Sequence, residues 1–176
     1  MTLTLTLLLA LAAGMFIPAG AFMASRVSIR SLCLRHDIDS FVSYFGGGAL
    51  LAAIALVLLP YGIENVSVLA ASAAFLIGGF SFWQIDTRLQ RSGSKAAQFI
   101  GMLLDFFPEA ILLGVAAATG SSIVFLLAGM IALQNMPEGF ASFQEMHQSK
   151  GSNRKLWLLF LTVPLMGPLA AWIGFS

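Results

Sequence analysis

Charge is what this chain lacks most. Only 10% of its 176 residues are Asp, Glu, Lys or Arg, while 59% are hydrophobic. A soluble domain of that length carries roughly a quarter charged residues. The mean hydropathy of +0.90 therefore reads as an integral membrane protein. A formal net charge of +1 indicates neither a nucleic-acid partner nor an acidic one. The single cysteine, Cys33, excludes an intrachain disulfide and a Cys-type zinc site, and it reads as an ordinary thiol in a loop. The two histidines, His36 and His147, fall in or beside loops as solvated residues. Neither a nucleophile triad nor a phosphate-binding loop is present, so the chain does not read as an enzyme with a prosthetic cofactor. No polar block of domain size interrupts it, and residues 1–176 form one transmembrane domain.

What is there is apolar length. Stretches of roughly 18 or more apolar residues mark spanning helices. Six are expected, at about 2–23, 41–60, 66–84, 96–118, 121–145 and 156–175. The fold class is thus an all-α integral membrane protein. Tyr61–Asn65 alone separates the second and third, and Thr119–Ser122 the fourth and fifth, so each pair is antiparallel. The first segment ends near Ala19-Gly20-Ala21, which loosely resembles a signal cleavage site, but it lacks a positive leader and reads as a retained helix. Its Gly14, Pro18 and Gly20 suggest close packing or a kink. Gly46-Gly47-Gly48 and Gly78-Gly79 are expected to allow close helix packing. Met15, Met102, Met130 and Met166 read as lipid- or core-facing fillers, and Trp83, Trp157 and Trp172 as interfacial anchors.

All nine basic residues fall on one side of a six-helix arrangement. Arg26, Arg30 and Arg35 lie in the first long loop, Arg88, Arg91 and Lys95 in the second, and Lys150, Arg154 and Lys155 in the third. Glu64 stands alone on the other side. Basic loops stay cytoplasmic, which places both termini outside a plasma (inner) membrane.

The chemistry is concentrated in two short stretches, Leu104-Asp105-Phe106-Phe107-Pro108-Glu109 and Leu133-Gln134-Asn135-Met136-Pro137-Glu138. A carboxylate at bilayer depth is costly and faces a cavity, an ion or a partner. Each proline also frees the carbonyl one turn earlier, Leu104 or Leu133. Asp105 and Glu109 share one helix face, and so do Gln134 and Glu138. With those faces opposed, two Glu, one Asp and one Gln occupy a small volume, to which Asn135 and the freed carbonyls could add oxygens. No Lys or Arg lies inside a predicted span, so the counter-charge must be a metal ion or protons. The alternative is that these polar residues are structural and bond across helices.

These residues resemble the ZIP (Zrt/Irt-like) family of divalent metal transporters, in particular its GufA-like bacterial branch. Gln134-Asn135-Met136-Pro137-Glu138-Gly139 is similar to the family's fifth-helix motif, Asp105 to Ala110 to a degenerate fourth-helix motif, and Gly47 to Pro60 to the second helix. The resemblance implies passage of a divalent cation (zinc, iron, manganese or magnesium) toward the cytoplasm, held between helices four and five by Glu109, Glu138, Asp105, Gln134 and Asn135. The chain departs from the family in five ways, the first being Leu56-Val57 where members often have His or Met just before the Leu-Leu-Pro of helix two. Asp105 replaces a His, Phe106 an Asn, and Gly167 a Glu, and six helices stand where the family has eight. The first metal position is kept and the second is gutted. A reduced transporter is therefore expected, with a transport-inactive metal-binding relative or subunit as the alternative. Membrane lipid and divalent ions are the expected partners, a homodimer stays open, and nucleic acid is not among them. Asp105 makes the ligands all oxygen, which favours manganese or magnesium over zinc.

Overall fold

The computed structural model describes residues 1–26, 32–91, 96–147 and 153–176. Those residues are almost entirely helical, with no strand among them. A chain this apolar must satisfy its backbone internally if it meets hydrocarbon, and a helix does that within each segment. The elements are α1 (Leu3–Gly14), α2 (Phe16–Arg26), α3 (Leu32–Ala53), α4 (Leu59–Asn65), α5 (Val68–Arg91), α6 (Ala97–Ala118), α7 (Val124–His147), α8 (Asn153–Thr162) and α9 (Met166–Phe175). Joined end to end, they give six helices long and apolar enough to cross a membrane: Leu3–Arg26, Asp37–Asn65, Val68–Arg91, Ala97–Ala118, Val124–His147 and Arg154–Phe175.

The breaks within spans have local causes. Pro18 cannot donate to the carbonyl of Gly14 one turn earlier, and the first span bends at Met15 between α1 and α2. Pro60 is likewise absorbed by a five-residue π turn, Ile54–Leu58, that precedes it. Tyr61–Asn65 is therefore not a link, as its polar residues suggest, but the last helical turn and a half of that span. Asn65 Nδ2 donates to the Tyr61 carbonyl at 2.8 Å within the helix, and the chain turns only at Val66–Ser67. Cys33 and His36 belong to α3 instead of a loop. Arg30, Lys95 and Lys150 lie outside the described residues.

Two glycine-to-glycine registers hold the bundle together. Gly20 of α2 lies on the backbone of Met136 and Phe140, and Gly139 of α7 lies on the backbone of Ile17. Gly114 of α6 and Gly174 of α9 do the same, against Ala171 and Ile111. A Cβ at any of the four would collide with a carbonyl, so the helices approach as closely as backbones can. By contrast, Gly47, Gly48, Gly78 and Gly79 have nothing within 4 Å of where a Cβ would stand. Glycine runs matter here less than single glycines facing a partner helix. Within the expected run, only Gly46 packs, against Pro137. Trp157 lies near the start of its span. It is partly buried against Phe143 at 5.0 Å between ring centres, in a cluster with Phe99 and Phe160.

The two ends of the bundle differ. One end gathers Arg26, the first turns of α3, Arg88 and Arg91, the start of α6 and the end of α7, and it is the basic end. At the other end Tyr61 and Thr119 hydroxyls meet at 3.4 Å. The helix pairs run antiparallel, as their short links require.

Candidate cation site between α6 and α7

Helices α6 and α7 face each other in a constant antiparallel register that can be followed by three polar rungs. At the basic end the Gln98 N–H donates to Glu145 Oε2 at 3.1 Å. Seven residues along each helix, Asp105 and Glu138 line one cleft. Four residues further, Gln134 Nε2 donates to Glu109 Oε1. Steps of seven and four both return to the same helix face, so one stripe of α7 carries Glu145, Glu138 and Gln134, facing the Gln98 backbone N–H and the Asp105 and Glu109 side chains of α6. At 1.5 Å per residue the ladder descends about 16 Å from Gln98 to Glu109.

The upper rungs open into a cleft of about 400 Å³ lined by Asp86, Gln90, Gln98, Asp105, Glu138 and Glu145, with Met102 and two small residues. A second cleft of about 230 Å³ shares Gln98 and Glu145 with the first and adds Asp39 and Ser43 of α3. Six of the eight acidic residues of the chain therefore lie in the two clefts or just beneath them: Asp39, Asp86, Asp105, Glu109, Glu138 and Glu145. Among the described residues no Lys or Arg lines either cleft.

Below the clefts the surroundings are dry. Glu109 is 7% exposed and Gln134 1%. Glu109 Oε2, Gln134 Oε1 and Glu138 Oε2 are buried acceptors with no hydrogen-bond donor. A buried polar group without a partner costs roughly 1–3 kcal/mol, and more when charged. Three acceptor oxygens within two adjacent rungs, with no donor left to serve them, ask for a cation or for protons.

Other expected contributors are placed differently. Asn135 turns to α1, where its Nδ2 donates to the Ala13 carbonyl at 3.0 Å while its Oδ1 stays buried and unpartnered. It ties the bend of the first span to the site helix. Leu104 and Pro108 are both exposed, on the outer flank of α6. Pro137 is packed against Gly46. Met102 is a core-facing filler: it is 2% exposed, lines the cleft and has Ser142 Oγ at 4.0 Å from its sulfur. Among the described residues no group of three His, Cys, Asp or Glu side chains is close enough to enclose one ion. The expected compact cluster is instead stretched along the ladder.

Phe106 supplies a further element. Its ring tip would lie 2.9 Å from a Cβ at either Gly14 or Gly167, so the ring fills the junction of α1, α6 and α9 that those glycines leave open. A side chain at 167 and an aromatic ring at 106 exclude each other.

The outer rung was missed from the sequence, although a signal existed. Glu145 lies two turns beyond Glu138, and Gln98 two turns before Asp105, on the same faces. Comparison with family models, with curated proteins and with solved structures returns no match for this chain.

Proposed function

We propose that this protein is a ZIP-like membrane protein that holds a divalent cation at a site around Glu138, Glu109 and Gln134 and passes it across the membrane, releasing it through the acidic clefts. The observation that carries the reading is the set of buried carboxylate and amide oxygens without donors on facing stripes of α6 and α7. No Lys or Arg lies inside the six spans except at their ends, so only a cation or protons can neutralise those carboxylates. Acidic clefts at the mouth favour cations electrostatically and give the ion a path out of the dry site. Basic loops keep that mouth cytoplasmic in the plasma membrane, with both termini outside and transport directed toward the cytoplasm. The residues that carry the ion are Glu138 and Glu109, with Asp105 and Gln134 as neighbouring oxygens. Asn135 positions α7 on α1. Metal is the cargo, and no chemical conversion takes place.

A second reading, a metal-binding protein or subunit that does not transport, is favoured by a specific observation. No three acidic or histidine ligands converge among the described residues. At the place where the resemblance puts a second metal position, Phe106 and Gly167 fill the space with apolar packing.

Uptake of zinc and manganese into vesicles reconstituted with the whole chain separates these readings. Transport predicts uptake above that of empty vesicles, lost in Glu138→Ala and Glu109→Ala. Binding by calorimetry without uptake selects the second reading. Absence of both overturns the cation assignment.

A further inference from the structure

On the side of α7 away from α6, a groove of about 190 Å³ opens between α2, α3 and α7, lined by Met23, Phe41, Val42, Phe45, Met136 and Pro137 with Phe140. Its surface is almost wholly apolar. The close seat of Pro137 on Gly46 forms its deep end, so the groove is bounded there. Groove and mouth follow the helix register. Arg26 stands three residues past Met23 at the basic end of α2, and Asp37 stands four residues before Phe41 on α3, so each charge sits one turn above a lining residue on the same face. Both side chains are exposed. The Arg26 guanidinium leans over the Phe22 ring, 4.9 Å from its centre.

A dry slot at hydrocarbon depth, capped at interfacial depth by one cation and one anion on different helices, has a defined complement. We infer that the groove holds one acyl chain of a zwitterionic phospholipid with a primary amine, its phosphate on Arg26 and its ammonium on Asp37. Guanidinium binds phosphate oxygens through paired N–H bonds. A primary ammonium offers three N–H donors to the carboxylate, whereas a quaternary choline offers none. A phosphatidylglycerol would satisfy Arg26 but bring its anion beside Asp37 with no donor of positive charge. The inference rests on membrane insertion and not on the cation reading: the groove shares Val42 and Phe140 with the second cleft but none of its residues line the cleft that holds Asp105 and Glu138.

The test is native mass spectrometry of the full chain released from detergent with phosphatidylethanolamine, phosphatidylcholine or phosphatidylglycerol of identical acyl chains. The ethanolamine lipid should be retained about tenfold more strongly than either of the others, the equivalent of one charge-assisted hydrogen bond. Arg26→Gln should weaken retention of all three lipids. Asp37→Asn should remove the advantage of ethanolamine over choline while leaving choline retention unchanged. Met23→Trp, at an exposed position that tolerates the ring, should block the groove and reduce retention of all three. Each variant should elute as the parent does on size exclusion, which separates lipid loss from misfolding. Equal retention of the three lipids by the parent, or stronger retention of phosphatidylglycerol, overturns the head-group assignment. Unchanged retention in Met23→Trp overturns the groove as the seat of the chain.

Discussion

Helices α5 and α7 have the same length, 24 residues, and opposite fates. The best apolar window of α5 has a mean hydropathy of 1.6 and none of it is buried. That of α7 has a mean hydropathy of 1.2 and half of it is buried. In water the order would be reversed, because the more apolar helix would take the interior. The observed order is the one a hydrocarbon solvent would select, since it gives no premium for burying Leu and a large one for hiding Gln, Asn and Glu. The helix with the more polar centre therefore becomes the hub, touching α2 through glycine, α1 through Asn135, α3 through Pro137 and α6 through the polar ladder. Helix α5 keeps its apolar residues outside and contributes Asp86 and Gln90 to the rim of the cleft.

The sharpest way to break that contrast is to add volume to each helix in turn. Gly139→Leu would drive a side chain into the Ile17 carbonyl, with no flexible atom able to yield. Overpacking against backbone costs 1–3 kcal/mol or more, and here about 4 kcal/mol is expected. Gly79→Leu meets open space and should stay within about 0.5 kcal/mol. Thermal stability followed by size-exclusion fluorescence in detergent reads both. Equal losses would show that α5 is held as tightly as α7.

The next contrast is chemical. Glu138→Ala should weaken cation binding at least tenfold, about 1.4 kcal/mol, and Glu109→Ala should do the same. Glu64→Ala, at the opposite end and exposed, should leave it unchanged. Calorimetry on the purified chain decides this, and an equal effect at Glu64 would mean the ion is held by surface charge.

A smaller effect separates ligand identity from ligand number. Asp105→His replaces a hard oxygen by an imidazole, which suits zinc better. The ratio of zinc to manganese affinity should rise several-fold while manganese still binds. A ratio that does not move would make Asp105 a residue of the path and not of the site.

The sequence already carries the six apolar lengths, the pairing of α6 with α7 and the basic end, because each follows from bilayer thickness or from charge placement. The buried face of α7 is legible too, since Gln134 and Glu138 lie four residues apart. The outer rung is less so. Gln98 and Glu145 sit at helix ends, where a polar residue reads as solvated, and only the facing helix shows that they are partners. The sealing glycines escape for a similar reason. Gly114 and Gly174 are single residues among alanines and leucines, and their role exists only where the two backbones meet. Asn135 reads as a ligand from its neighbours in the motif, but helix geometry turns it about 100° from Gln134 and onto α1.

The smallest prediction concerns the tie between the outer helices and the bundle at the end away from the clefts. Tyr61 of α4 meets Thr119 at the end of α6 at 3.4 Å, a long contact between two exposed hydroxyls. Thr119 already donates to the carbonyls of Val115 and Ala116, at 3.0 and 3.1 Å, so losing its neighbour strands no polar group. Tyr61→Phe removes one hydroxyl and keeps the ring, which packs against the core edge. Stability should change by less than about 0.5 kcal/mol, because exposed groups exchange this bond for water. Cation binding, set by groups at the other end of α6, should not change at all. A loss above about 1.5 kcal/mol would show that this contact clamps α4 to the bundle, and would extend the tightly packed half of the molecule to the second span.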